Sequence, residues 1–219
     1  MSDEQAPKVT QFTGADATIA WHGGLCIHIG ECGRAPGDLF VSGRKPWCQP
    51  DASSVAEAVE VVERCPTGAL SYTRRDGVQE QVPAENTVVV SNNGPLYLRG
   101  ELHVDGADAA MPGLRTRAAL CRCGASARKP FCDGSHERAG FVDRGAIGDA
   151  GRGFEAPGGA LHVKRAPDGP LLLAGNVTLV TAAGRVAWRG SKCALCRCGK
   201  SANKPFCDGS HKAAGFIAE

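Results

Sequence analysis

Apolar positions in this chain come in short runs, broken at close intervals by glycine, proline and other turn residues. One stretch has helical spacing. After Ser54, with Glu57 completing a capping box, Val55, Val59 and Val62 recur at the helical period until Cys65-Pro66 stops it. Taken alone that valine stripe is core packing, and its further meaning is that it delivers Cys65 to a rigid position. Elsewhere the runs have the length of strands. Residues 18–21 and 69–73 are predicted to pair as short strands beside the helix. Residues 87–90, 96–98 and 101–104 form a second set, and residues 161–164, 171–173, 177–181 and 186–188 a third. Asn92-Asn93-Gly94 and Ala182-Ala183-Gly184 read as turns within these sets, Arg74-Arg75-Asp76-Gly77 as a turn before them, and Val82-Pro83-Ala84 as a short linker.

The second and third sets are copies of one another. CRCGASARKPFCDGSH at Cys121–His136 returns as CRCGKSANKPFCDGSH at Cys196–His211. The offset of 75 residues also relates Gly94-Pro95-Leu96 to Gly169-Pro170-Leu171, Gly100 to Gly175, and Gly140-Phe141 to Gly215-Phe216. The repeat is therefore a domain-sized block. Two such blocks are expected to pack face to face, as a dimer fused into one chain.

Each copy offers three thiols and one imidazole at the same intervals: Cys121, Cys123, Cys132 and His136, then Cys196, Cys198, Cys207 and His211. Thiolates are soft donors suited to iron and bridging sulfide. Three cysteines and a histidine also suit tetrahedral zinc, although zinc sites usually use Cys-x-x-Cys pairs. A disulfide framework has little support, since no secretory leader is visible. Around the donors, Asp133 and Asp208 are placed to cap a short helix carrying each histidine, and Pro130 and Pro205 to stiffen the loop. Phe131 and Phe206 are placed to cover the centre. Arg122, Arg197, Lys129 and Lys204 are either cations serving an electron-rich centre or solvated loop charge.

The pattern Cys-x-Cys-x-x-Ser/Thr-x-x-x-Pro-x-Cys-Asp-Gly-Ser-His is met at every fixed position in both copies. In this the sequence resembles the mitoNEET-like CDGSH iron-sulfur proteins, over roughly residues 84 to 219. The resemblance implies a 2Fe-2S cluster in each copy, with Cys121 and Cys123 on one iron and Cys132 and His136 on the other, and likewise for Cys196, Cys198, Cys207 and His211. Neutral imidazole in place of one thiolate raises the potential and supplies a group that can take up a proton.

The first eighty residues carry a different signal. Cys26-Ile27-His28-Ile29-Gly30-Glu31-Cys32 is followed at a distance by Cys65-Pro66-Thr67-Gly68-Ala69-Leu70. A cysteine before proline and a small-residue turn resembles the last ligand of bacterial ferredoxins, here a divergent single-cluster type over residues 15 to 80. The usual middle ligand is replaced by Ile29, which cannot bind iron. Cys26, Cys32 and Cys65 suit a 3Fe-4S cluster, or a 4Fe-4S cluster if Cys48 or His28 gives a fourth donor. Cys48 can equally be a buried apolar thiol, and Cys193, which has Ala118 as its counterpart, reads as a packed bystander.

Composition adjusts this picture only in places. The 219 residues include 29 glycines, 13 prolines and 5% aromatics, a loop-rich chain whose small cores metal centres would help to order. Eleven cysteines suit a reducing compartment, and no apolar run approaches the ~20 residues of a membrane span. The expected location is cytoplasmic, without the family's membrane anchor. Residues 1–83 hold 7 Lys/Arg against 11 Asp/Glu, and residues 84–219 hold 18 against 12, an asymmetry that can dock the modules or steer a partner but is too mild for nucleic acid.

The sequence thus predicts an α+β protein. A tail (1–14) precedes a ferredoxin-like module (15–80) and two small β-rich CDGSH modules (84–145 and 155–219) packed as an intrachain pseudo-dimer. The expected cofactors are two 2Fe-2S clusters and one 3Fe-4S or 4Fe-4S cluster, and the expected role is electron transfer. The alternative is storage or delivery of acid-labile clusters. The partner is a redox protein or an apo-iron-sulfur acceptor, with no membrane, and the chain is expected to be monomeric. No nucleophile-base set, phosphate loop or nucleotide fingerprint argues for an enzyme with its own substrate.

Overall fold

The computed structural model describes residues 9–154 and 156–218. It is β-rich with few helices, and its elements fall into two sheets.

The first sheet has the order β1 (Val9–Thr13), β2 (Ala17–His22), β3 (Leu70–Arg74), all antiparallel. The expected pairing of residues 18–21 with 69–73 is present, with Thr18 opposite Thr73 and Trp21 opposite Leu70. Helix α1 (Val55–Glu63) packs beside β3. Its capping box forms as read, Ser54 Oγ accepting from Glu57 N at 3.3 Å and Glu57 Oε2 accepting from Ser54 N at 2.9 Å. Two expectations need correction. The tail read over residues 1–14 contains β1 from Val9 onward, because Phe12 has a buried place against Ile19 and Trp47, while residues 1–8 lie outside the described ones. The inward face of α1 is Ala58, Val61 and Val62, with Val55 and Val59 only half-buried. The valine series drifts off the face that the sheet covers.

The second sheet is built from both repeats. The first supplies β4 (Thr87–Val90), β5 (Leu96–Arg99), β6 (Leu102–Val104) and β7 (Arg117–Leu120); the second supplies β8 (Leu161–Arg165), β9 (Leu171–Val180) and β10 (Val186–Leu195). Their order is β6-β8-β9-β4-β5-β7, with β10 on β9. Each repeat lends its first strand to the other. β4 runs parallel to β9 with Thr87 opposite Thr178, and β8 runs parallel to β6 with His162 opposite His103. These registers are the same contact taken twice at the 75-residue offset. Buried and exposed positions alternate along these strands, and on the inward face Val88, Val90, Leu96, Leu161, Leu171 and Leu195 are fully buried, each contributing about 1.5–3 kcal/mol. Buried Asn86 fastens the exchange: its Nδ2 donates to Gly159 O (2.8 Å) and Asn176 O (2.9 Å), and its Oδ1 accepts from Glu101 N (2.9 Å).

The repeats differ in one element. The two separate runs expected at residues 171–173 and 177–181 are one strand, β9, and with β10 form a long hairpin bulged between Val186 and Trp188 and between Gly190 and Lys192. At the matching place in the first repeat, Pro112–Arg115 turn as a 3-10 helix. The ferredoxin-position module docks there: a Cβ on Gly68 would lie 2.5 Å from Arg117 O and one on Gly113 would lie 2.3 Å from Gly68 O, so only glycines permit the approach.

Candidate metal centre

The end of β7 places all three thiols of the first repeat. Cys121 and Cys123 follow directly, and Cys132 returns beside the strand, its N donating to Ala119 O at 2.9 Å while Cys121 N donates to Pro130 O at 2.8 Å. Cys196 N and Cys207 N make the matching bonds to Pro205 O (2.8 Å) and Ala194 O (2.9 Å) from β10. Each histidine rides on a four-residue helix, α2 (Ser135–Arg138) or α3 (Ser210–Ala213), entered through a left-handed glycine, Gly134 or Gly209, with φ of 83° and 87°.

The donors come together as pairs. Cys121 Sγ and Cys123 Sγ lie 3.6 Å apart, and Cys132 Sγ lies 3.4 Å from His136 Nδ1. In the second repeat the separations are 3.7 Å for Cys196 and Cys198 and 3.4 Å for Cys207 and His211. Two donors about 3.8 Å apart is the spacing that one tetrahedral metal atom asks of its thiolates. Among the described residues, no group of three or more Cys, His, Asp or Glu side chains is arranged to hold a single ion.

Backbone N–H groups point at the sulfurs, from Ala125 to Cys123 (3.4 Å), Gly134 to Cys132 (3.5 Å), Lys200 to Cys198 (3.4 Å) and Gly209 to Cys207 (3.4 Å). Such donors favour the thiolate. The Cys121 thiol is drawn down to about 6, first by the hydrogen bond from Cys123, which is itself pushed up by that bond and by burial. Burial raises Cys132 to about 11 and raises Cys198. Metal would displace those protons.

Asp133 does more than start a helix. Its Oδ1 accepts from Ser135 N (3.0 Å) and its Oδ2 from Ala127 N (2.8 Å), tying the loop after Cys123 to the helix that carries His136. Asp208 repeats this with Ser210 N (2.9 Å) and Ala202 N (2.8 Å). Partial burial opposes ionisation of Asp133, but these bonds hold it below the ordinary carboxylate range; Asp208 is lowered by the bonds from Ser210 and Ala202.

The cations read as solvated charge or partners of the centre are braces. Arg122 is buried, donating Nε to Gly94 O (2.7 Å) and Nη1 to Asp143 Oδ1 (2.5 Å). Arg197 is likewise buried, with Nε on Gly169 O (2.9 Å) and Nη2 on Ala166 O (2.7 Å). Lys129 and Lys204 each donate to a serine carbonyl within their own loop, Ser126 O and Ser201 O, both at 2.5 Å. Phe131 is buried in the main core and Phe206 packs partly buried against it, 5.8 Å from Trp188. The two loops meet at an isolated bridge between Cys123 and Cys198, where a Cβ on Gly124 would lie 2.6 Å from Cys198 O and one on Gly199 2.5 Å from Cys123 O.

In the first module a cavity of about 360 Å³ is lined by Cys26, His28, Cys32 and Cys65, with Trp47 and Phe40 behind them. Cys48 does not line it. That thiol is 1% exposed in the apolar core, bridged to Phe40, and burial pushes it up to about 12. Cys193 packs against the other core and is raised to about 12 by the same cause, as a bystander would be. Sequence reasoning missed Arg117, which is 2% exposed and donates Nη1 to Val62 O and Cys65 O (both 2.7 Å) and Nη2 to Leu70 O (3.1 Å). Glu80, the last residue of the stretch read as the ferredoxin-like module, pairs with it at 2.8 Å. Arg128 adds a bond from Nη1 to Gly24 O at 2.8 Å. The available signal was a difference between the copies, since the position of Arg117 holds Lys192, which is exposed.

A family model for divergent 4Fe-4S mono-cluster domains matches residues 12–75, and one for the iron-binding zinc finger of CDGSH type matches residues 93–137 and 168–212. The uncharacterized protein YjdI of Escherichia coli strain K12 is 41% identical over 64 residues, 29% of this chain and 84% of that protein. YjdI of Escherichia coli O157:H7 matches to the same extent. No solved structure matches.

Proposed function

We propose, for a chain that belongs to the CDGSH iron-binding proteins and carries a divergent 4Fe-4S mono-cluster domain ahead of its two CDGSH motifs, that its iron-sulfur sites pass electrons in series. The observation that carries this reading is the bracing between donor sets. Arg117 grips the carbonyl of Cys65 and begins the strand that leads into Cys121, and the Cys123 and Cys198 backbones bridge the two loops. One strand thus braces the N-terminal donors to the first CDGSH loop, and a backbone bridge braces that loop to the second. Bound iron-sulfur clusters supply one-electron exchange, tuned by ligand charge and by hydrogen bonds to sulfur.

Cys121, Cys123, Cys132 and His136 would hold one 2Fe-2S cluster, and Cys196, Cys198, Cys207 and His211 the other. The paired donors support a dinuclear centre over a single zinc ion, because each pair suits one metal atom and no single-ion group of three is formed. Cys26, Cys32 and Cys65 would hold a 3Fe-4S or 4Fe-4S cluster in their cavity. The reciprocal strand exchange supports the intrachain pseudo-dimer. On this reading the chain is a redox carrier for a partner protein, with no substrate of its own. No helix among the described residues is long and apolar enough to cross a membrane.

Iron analysis and rapid-mixing reduction by a flavoprotein reductase test this directly. Wild type should hold about seven or eight irons, and a Cys26→Ser/Cys65→Ser variant about four, with CDGSH reduction slowed at least about tenfold. Unchanged iron content and unchanged kinetics would sink the proposal.

Cluster delivery is the second reading, favoured by the position of the histidines. His136 and His211 are half-buried on one-turn helices, and His211 lines an open pocket with Lys212, Phe216 and Ile217. Imidazole protonation would free that edge. Delivery predicts that His136→Cys/His211→Cys hands clusters to an apo-ferredoxin more slowly than wild type; equal rates remove its support.

A further inference from the structure

The N-terminal cavity holds three thiols together with the side chains of His28 and Glu31, and of those two the imidazole is the one that lies against a thiol. His28 lines it beside Cys26, Cys32 and Cys65, and its Nδ1 lies 3.9 Å from Cys26 Sγ. The same Sγ to Nδ1 approach, at 3.4 Å, joins the thiol and imidazole of each CDGSH loop.

The backbone at His28 is a second observation. Its φ is +56°, one of three non-glycine residues in the left-handed region among those described. That conformation costs an L-residue about 1–2 kcal/mol and reverses the chain between Cys26 and Cys32. An ordinary surface loop would place glycine there, and Gly30 at φ +90° is only two residues away. Retaining a β-carbon at this point turns a ring toward the thiols.

Cys48, the rival fourth donor, faces elsewhere. It lines a separate cleft with Phe12, Gln49 and Pro50, whereas Phe40 and Trp47 line the thiol cavity. Reaching the cavity would require unpacking the core that holds it at 1% exposure. Ile29, at the position where related ferredoxins have a cysteine, is 41% exposed and has no donor atom.

We propose that His28 is an iron ligand, so that Cys26, Cys32, Cys65 and His28 form a site of three thiolates and one imidazole, and that Cys48 is a structural thiol. This rests on the reading that the first module holds an iron-sulfur centre. All three sites of the chain then share one donor set. A neutral imidazole leaves the centre one unit less negative than four thiolates do, which raises its potential.

The test uses full-length chains purified anaerobically, with His136→Cys/His211→Cys as the background so that neither CDGSH site has an imidazole ligand. Pulsed electron paramagnetic resonance of the N-terminal signal should show strong nitrogen coupling. His28→Cys should keep the iron content, lose that coupling and lower the midpoint potential. His28→Asn, which tolerates the left-handed backbone, should lose at least one iron from the N-terminal site, whereas Cys48→Ala should leave iron content and spectrum unchanged. The assignment is overturned if the wild-type signal has no strong nitrogen coupling, if His28→Asn retains every iron with an unaltered spectrum, or if Cys48→Ala is the variant that loses iron. An N-terminal signal that is present but indifferent to His28 removes this assignment alone. Absence of any N-terminal signal in an otherwise wild-type chain removes the three-centre function with it.

Discussion

Arg117 is a charged side chain with almost no water to face. Its guanidinium has three carbonyls and Glu80 as partners, and those partners belong to the first module and to the stretch leading out of it. Breaking such an arrangement strands Glu80 and orphans buried carbonyls, a cost of about 3–5 kcal/mol. Arg117→Met should accordingly lower the denaturation midpoint of the full chain and broaden the N-terminal cluster signal. Arg117→Lys should fall between the two, because one ammonium cannot serve four acceptors in a planar fork. At this scale the sequence was partly legible. Eight CDGSH donors stood out because the chain prints them twice. Arg122 and Arg197 also recur in both copies, yet an arginine in a polar loop reads as surface charge when its acceptors, Gly94 O and Gly169 O, lie 28 residues upstream.

Short elements carry heavy duties here. Helix α1 has nine residues, and Cys65 follows two residues after its end. An isolated helix of that length is marginal, so its cap matters. Ser54→Ala removes the side-chain half of the capping box, the acceptor for Glu57 N, and should cost about 1 kcal/mol, read as earlier loss of the N-terminal cluster signal in urea with the CDGSH signals unmoved. Gly124 and Gly199 are more demanding, since φ of +84° and +77° disfavours any side chain and a Cβ would meet the opposing cysteine's carbonyl. Gly124→Ala should push the CDGSH loops apart, and on the proposed electron-transfer function it should slow exchange between the two CDGSH sites in rapid-freeze spectra. Helix, turns and most strands were readable because they obey local periods and caps. The fusion of two runs into β9 was not, because its middle, Ala174-Gly175-Asn176, reads as a break. A continuous partner in β10 and β8 overrides that local preference.

Across the whole molecule, the parallel pairings β4·β9 and β6·β8 make the repeats mutually dependent. Sequence announced two blocks, and their equal offset suggested face-to-face packing, but no periodicity reveals which block a strand joins. Docking of the first module was equally silent, resting on two glycines and two arginines that look unremarkable in isolation. Because neither repeat can open its sheet without opening the other's, both CDGSH sites should bleach in one cooperative urea transition. Two resolved steps in their visible absorbance would contradict the exchange. Asn86→Ala should shift that single transition to lower urea by about 2–4 kcal/mol, since three buried backbone groups lose their partner.

The exchange also has a consequence during synthesis. Thr87 must wait for Thr178, about ninety residues later, and at ribosomal rates of about 5–20 residues per second that is roughly 5 to 20 s. In the later part of that interval Cys121 to His136 have been made, while the sheet that should hold their loop still lacks β9 and shows bare edges on β4 and β6 until β8 and β9 arrive. Iron arriving then meets four donors without their final scaffold. Faithful loading therefore belongs after translation, and until then the nascent first repeat has the edges most exposed to mispairing with a neighbouring ribosome's copy.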